Sequence, residues 1–314
     1  MGIVLVGSIA LDTIATPKTK KEKILGGSAI YSSLSISQFT QPRLIGIVGE
    51  DFPSAYVEQL HAKGIDTAGL EQVPGKTFAW EGSYDKNLSD AKSHATELNV
   101  FANFAPKVPE AYKKEKILFL GNIDPDLQKD VLRQMGNPAL VATDTIDFWL
   151  DSKRDSFVDL LNNVNILFVN EAEAKKISQQ SKIVPACKTI SEWGPRIVVV
   201  KSGEHGAIAF DGKENVCYFA PAYPNVEVVD PTGAGDTFAG GFLGSLSTEK
   251  RLYSSQAIKK ALYMGNVMAS FTISTFSVEG LINLNKAQIE ERFRNILKMT
   301  HHAPRSKKQL TTSG

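Results

Sequence analysis

Apolar residues fall along this chain in two alternating rhythms. Short runs rich in Ile and Val recur at 2–7, 43–48, 116–121, 139–143, 165–169, 196–201, 207–210 and 216–219. Between most of them, apolar positions three and four apart predict helices at about 27–39, 53–63, 125–136, 152–162, 171–178 and 186–193. Runs that stay apolar throughout, such as Ile197-Val198-Val199-Val200, suit strands covered on both faces of a parallel sheet. Alternation with helices predicts βαβ units and an α/β fold with a doubly wound, mostly parallel sheet flanked by helices. Toward the C-terminus, Ala257, Ala261, Met264, Met268 and Phe271 keep 4-3-4-3 spacing, the stripe of a helix packed on that sheet.

Two segments break the rhythm. Residues 10–24 and 75–101 have no helical period, and 77–84 and 97–101 read as strands. They predict a small antiparallel sheet inserted into the α/β domain and projecting from it. Such a sheet can serve as a lid over a substrate pocket, as the interface of a homodimer, or as both. The expected organisation is one domain over 1–300, with the lid drawn from about 10–24 and 75–101. A polar C-terminal tail follows over 301–314 and is assigned no function.

Composition narrows the function. The 314 residues are 42% hydrophobic, enough for a sizeable core. Lys and Arg total 35 against 34 Asp and Glu, so a net charge of +1 gives no global footprint for nucleic acid or membrane. An anionic ligand must therefore be held locally. Cys187 and Cys217 form no spacing motif and read as ordinary intracellular thiols. The chain starts directly on a strand-like run, and no apolar stretch reaches the length of a bilayer. A cytoplasmic protein is expected.

The densest chemistry lies in Val228-Val229-Asp230-Pro231-Thr232-Gly233-Ala234-Gly235-Asp236-Thr237-Phe238, continuing to Gly240, Gly241 and Gly244. It reads as a buried strand, a glycine turn and an apolar helix with a carboxylate in its first turn. Glycines let backbone N–H groups converge, and the positive end of the helix dipole suits a phosphate. Asp236 would repel that phosphate unless it takes a proton from whatever attacks it. A bare GxGD is also an ordinary capped helix start.

Three further constellations follow. Asn170-Glu171-Ala172-Glu173 comes directly after an apolar strand, and Asn170 with Glu173 can reach Mg²⁺ through water. The same spacing is a capping box, and the two readings are compatible. Lys201-Ser202-Gly203-Glu204-His205-Gly206 joins two strands; Ser202 and the Gly203 amide can touch phosphate oxygens, and a plain two-glycine turn is the alternative. Asp12 followed by Leu25-Gly26-Gly27-Ser28-Ala29 offers a hydroxyl-accepting carboxylate, or a turn cap, ahead of a close backbone approach.

In this order the motifs resemble the ribokinase-like (PfkB) family of carbohydrate and nucleoside kinases, over almost the whole chain. The resemblance implies a ribokinase-like fold and ATP-dependent phosphorylation of a hydroxyl on a small sugar or sugar-like acceptor, with a nucleoside or inositol as alternatives. It implies an anion hole from the Gly233, Ala234 and Gly235 amides, Asp236 as catalytic base, and Mg²⁺ near Asn170 and Glu173. It further implies ATP held by Asn170, Ser202, Gly203 and Gly206, adenine near Asn266, and acceptor held by Asp12, Gly26 and Gly27. A monovalent cation such as K⁺ is expected between the 274–280 loop and Asp230. Where ribokinase-like sugar kinases carry an asparagine that contacts substrate, this chain has Tyr31, which points to a differently shaped acceptor. Trp80 and Tyr84 offer a stacking wall on the lid, or packing between two lids.

Rival classes fit less well. A nicotinamide-dependent dehydrogenase needs GxGxxG after the first strand, where this chain reads Gly7-Ser8-Ile9-Ala10-Leu11-Asp12. A Walker-type NTPase needs a glycine where Leu70 precedes Gly75-Lys76-Thr77. A non-catalytic sugar- or nucleotide-binding regulator has no need of Asp236, Asn170 and Glu173 together.

Overall fold

Fully buried Ile3–Val6 forms β1, and alternate residues serve opposite faces of the sheet. Ile3 and Leu5 enter one core, Val4 and Val6 the other. The chain leaves this layer for the hairpin β2 (Ala10–Ala15) and β3 (Lys20–Gly26), then returns through α1 (Ser28–Ile36). On one side of β1 come β4 (Pro42–Gly49), α2 (Ser54–Ala62) and β5 (Asp66–Val73). A second excursion makes β6 (Ala79–Tyr84) and β7 (Ala91–Glu97). The other side is built by β8 (Ile117–Leu120), α3 (Pro125–Gln134), β9 (Leu140–Asp144), α4 (Asp147–Ser152) and α5 (Arg154–Leu161). There follow β10 (Ile166–Asn170), α6 (Glu171–Ser178), α7 (Ile183–Ser191) and β11 (Ile197–Lys201). The chain turns back in β12 (Ala207–Asp211) and β13 (Val216–Ala220), then ends in α8 (Ala234–Ser247), α9 (Ser255–Thr272), α10 (Glu279–Ile282) and α11 (Lys286–Thr300). This computed structural model describes residues 2–88, 91–224 and 227–300; the expected tail over 301–314 lies outside them.

The main sheet has nine strands in the order β13-β12-β11-β10-β9-β8-β1-β4-β5. Its pairs are parallel except β11–β12 and β12–β13. The order runs away from β1 in both directions, so the carboxyl edge beside β1 is a topological switch point, where open α/β sheets bind ligands. Among the described residues, no helix is long and apolar enough to cross a membrane.

Several expectations need correction. β5 was not anticipated: it is a half-exposed edge strand without clean alternation. The second lid strand is Ala91–Glu97, not 97–101. At Asn99 the backbone turns left-handed (φ 50°) into a 3₁₀ turn, fixed by Asn99 Nδ2 donating to the Thr77 carbonyl at 2.9 Å. The small sheet, ordered β3-β2-β6-β7, is mixed rather than antiparallel, because β2 and β6 run parallel with Thr13 opposite Glu81. The helix expected at 152–162 is α5, and a separate short helix, α4, precedes it across a break at Lys153.

Helices α1, α8 and α9 cover one face of the sheet and carry the glycine turn. The backbones of α1 and α8 approach closely because Gly240 has no Cβ to meet Ser32 and Ser35. The hydroxyls of those serines donate to the Asp236 carbonyl (3.1 Å) and the Thr237 carbonyl (2.8 Å). Phe242 crosses Phe168 edge to face at 5.4 Å, pinning α8 to β10. The start of α8 is thus fixed to the sheet by packing, not by its own propensity.

Candidate active site

Adjacent strand ends deliver the polar groups. Asp144 closes β9 and sits opposite Phe168 of β10; two residues on, Asn170 closes β10 opposite Lys201, which closes β11. Lys201 Nζ reaches across β10 to Asp144 Oδ2 at 2.8 Å. The glycine turn entering α8 faces the same edge: a Cβ built on Gly235 would stand 3.1 Å from Lys201 Nζ.

Gly233 is left-handed (φ 74°), and a Cβ there would run into the ring of Tyr31. Only glycine fits on both counts. The Ala234 N–H donates to the Pro231 carbonyl at 3.2 Å, so one of the three expected anion-hole amides is engaged within the turn. Among the described residues, Gly233 and Gly235 N–H make no backbone hydrogen bond. A turn with two unengaged amides at a helix N-terminus fits an anion.

Asp236 stands in the first turn of α8. Burial pushes its carboxyl up to about 7; Asp144 adds to the rise, while Lys201 and the Asp236 amide pull against it. A carboxyl with this value exchanges a proton readily near neutral pH. Burial disfavours the Lys201 ammonium, yet Asp144, Glu173 and Asp236 outweigh it and hold its pKa above the ordinary value.

Asn170 and Glu173 form a full capping box. Glu173 N–H donates to Asn170 Oδ1 at 2.8 Å, and Asn170 N–H donates to Glu173 Oε2 at 2.7 Å. Burial raises Glu173 to about 7 despite Lys201 nearby. Among the described residues, no cluster of three or more metal-ligating side chains is present. One partly engaged carboxylate beside an amide fits a hard cation carried mainly by phosphates and water, not a protein cage.

The side expected to hold the acceptor is built around Asp12. Its Oδ2 occupies the space a Cβ on Gly26 would take, and its Oδ1 is buried without a hydrogen-bond partner. Burial, with help from Asp230 and Asp236, raises Asp12 to about 7. Gly27 (φ 96°) caps α1 and lies against the Ser8 carbonyl, where a side chain has no room. Tyr31, expected on the acceptor side, is 1% exposed; its ring lies under Gly233, so it shapes the turn from below. Tyr84, at the end of β6, places its hydroxyl 2.9 Å from Thr232 Oγ1 and so connects the lid to the turn.

Buried Asp230 joins the remaining loops. Its Oδ1 accepts from Thr232 N–H and its Oδ2 from Ser277 N–H, both at 3.0 Å, while Ser277 Oγ donates to the Leu25 carbonyl at 2.5 Å. The 274–280 loop, the glycine turn and the Gly26-Gly27 approach are therefore one bonded unit. On the far side, Gly203 (φ 53°) and Gly206 (φ 93°) bracket a 3₁₀ turn beyond Ser202. A Cβ on Gly206 would meet Ala220, whose carbonyl accepts from Asn266 Nδ2 at 3.2 Å. Gly206, Ala220 and Asn266 thus meet where β13 ends against α9.

Asp144 was missed in the sequence reading, and Lys201 was noticed only as the residue before a turn. No local motif surrounds Asp144-Thr145-Ile146; it is sheet register that brings it to a lysine 57 positions later.

Comparison with known proteins bears on this geometry. The chain matches the pfkB family carbohydrate kinase pattern over residues 3–283. It is 30% identical over 262 residues to a cytidine kinase of Thermococcus kodakarensis, covering 80% of this chain and 91% of that one. The crystal structure of a Methanocaldococcus jannaschii nucleoside kinase superposes with a TM-score of 0.76 at 21% identity, covering 94% of this chain and 98% of that one. A putative ribokinase II from E. coli, solved with ATP and Mg²⁺, gives 0.76 at 21% identity over 93% and 99%.

Proposed function

The chain belongs to the pfkB family of carbohydrate kinases, and from that premise we propose that it transfers the γ-phosphoryl group of ATP to a nucleoside hydroxyl. One observation carries the choice of acceptor: similarity to a cytidine kinase across 91% of that enzyme's length. Tyr31 beneath the turn accords with an acceptor shaped differently from free ribose. Two free cysteines suit the reducing, ATP-supplied cytoplasm.

Asp12 and the Gly26-Gly27 backbone orient the acceptor's hydroxyls, the unpartnered Asp12 Oδ1 accepting from one of them. Asp236 accepts the proton of the attacking hydroxyl as its oxygen bonds to the γ-phosphorus and the bond to the β–γ bridging oxygen breaks, releasing ADP. The Gly233 and Gly235 amides donate to phosphoryl oxygens, where positioning and charge neutralisation supply most of the rate. Ser202, Gly203 and Gly206 line the nucleotide's path, with Asn266 at its adenine end. Asn170 and Glu173 would hold Mg²⁺ through water, and the ion would supply neutralising charge to the nucleotide's phosphates. The 274–280 loop, with Asp230 as countercharge, would hold a monovalent cation such as K⁺.

An ATP-consumption screen over nucleosides, sugars and inositols tests this, with Asp236→Ala as background. Nucleoside-dependent consumption that disappears in the variant is expected. Consumption with sugars alone, or consumption that survives the variant, contradicts it.

A further inference from the structure

The ammonium of Lys201 stands between two anionic places. On one side is Asp144 Oδ2 at 2.8 Å, with the lysine side chain 19% and the aspartate side chain 4% exposed. On the other is the glycine turn. Gly235 carries no positive φ, so its backbone would accept any residue; what a side chain would lack is room, because its Cβ would press on Nζ at 3.1 Å. The ammonium thus stands within van der Waals reach of the turn's backbone at Gly235, next to whatever occupies the turn.

Charge balance says what that occupant demands. Asp144 touches Lys201, and the carboxyl groups of Glu173 and Asp236 also act on it, so the cation faces acidic groups on one side and a turn that fits an anion on the other. An incoming phosphoryl group meets repulsion there unless the ammonium turns toward it. Lysine suits that movement: it is a point charge on a flexible four-carbon arm, and a small rotation exchanges one anion for another. A buried ion pair kept only for stability explains the contact poorly, since such pairs add little over apolar packing.

We propose that Lys201 contacts the transferring phosphoryl group at the Gly233-Ala234-Gly235 turn, and that Asp144 is a positioning residue that holds the ammonium beside the turn while it is empty; this rests on the kinase reading of the same site. Asp144 then works through Lys201: it keeps a cation poised without letting it settle on the ground-state phosphates.

The test is made on the full chain with Lys201→Met, Lys201→Arg, Asp144→Asn and the double variant Lys201→Met/Asp144→Asn. Each is assayed for kcat, KM and Tm, and for ATP affinity by calorimetry without acceptor. Lys201→Met is expected to lower kcat on the order of 10²-fold, the scale of one lost transition-state contact, with acceptor KM unchanged. Lys201→Arg recovers part of the loss. Asp144→Asn lowers kcat by a smaller factor and tightens ATP binding, which loss of a purely structural pair would not do. The double variant removes both members of the Lys201–Asp144 pair, so its Tm returns toward wild type while kcat stays as low as in Lys201→Met. Recovery of kcat together with Tm overturns the proposal. Wild-type turnover in Lys201→Met while Asp236→Asn is inactive also overturns it and leaves the kinase reading standing; wild-type protein inactive with every acceptor overturns both.

Discussion

The hydroxyl of Tyr84 lies 2.9 Å from that of Thr232, so the inserted sheet is bonded to the residue preceding the glycine turn. Burial raises the Tyr84 phenol to about 12, so it stays protonated and can donate. The inserted sheet is thereby registered against the glycine turn. Removing the hydroxyl in Tyr84→Phe forfeits one net hydrogen bond, about 0.5–1.5 kcal/mol, or roughly a 2- to 10-fold rise in acceptor KM. Steady-state kinetics should show that rise with kcat nearly kept. A fall in kcat with unchanged KM would place Tyr84 in the chemical step instead.

The two turn glycines should fail differently. Gly233→Ala forces a left-handed Cβ onto the Tyr31 ring, and the backbone penalty alone is about 1–2 kcal/mol. Denaturant unfolding should register at least that loss. Gly235→Ala meets no backbone strain and only crowds Lys201, so stability should hold while kcat falls. Equal losses of stability in both variants would refute this division.

Glu173→Gln keeps a side-chain oxygen for the Asn170 N–H and removes the charge. Tm should be preserved while the Mg²⁺ concentration for half-maximal rate increases. Glu173→Ala should lose part of the cap as well, about 0.5–2 kcal/mol. An unchanged Mg²⁺ requirement in the Gln variant would assign Glu173 to the cap alone.

Three carboxyl groups, Asp12, Glu173 and Asp236, are pushed up to about 7 by burial. Their folded values exceed their ordinary ones, so between those limits the native state holds protons that the unfolded chain has released. Their contribution to stability is therefore full at low pH and lost as pH rises toward 7. Activity runs the other way, because Asp236 accepts a proton only when ionised. From about pH 5 to about pH 8, Tm should fall as kcat/KM rises. A flat rate profile across that range would contradict the assignment.

Much of this was legible in the chain itself. Asp236 with its glycines, and Asn170 with Glu173, each lie in a contiguous motif whose local chemistry is explicit, whereas Asp12 was readable only as a carboxylate ahead of the Gly26-Gly27 pair. The buried strands β10 and β11 were readable because parallel strands covered on both faces are apolar throughout. β5 was not, since an edge strand half in solvent carries a blurred pattern. α11 escaped for a related reason: its fifteen residues bury little beyond Ile289 and Ile296. Asp144 was illegible on principle, because its partner is chosen by strand order, which no local pattern encodes. Tyr31 was placed on the acceptor-side helix, but nothing in the sequence shows that Gly233 closes over its ring.

The most direct test of the account is the turnover of Asp236→Asn, measured beside its ATP affinity and its Tm at neutral pH. The amide keeps the shape of the side chain and cannot accept the proton. A fall in kcat of about 10²-fold or more is expected, with ATP binding largely intact and a Tm equal to or above wild type because an ionisable carboxyl is gone from a desolvated position. Near-normal turnover in this variant would contradict it.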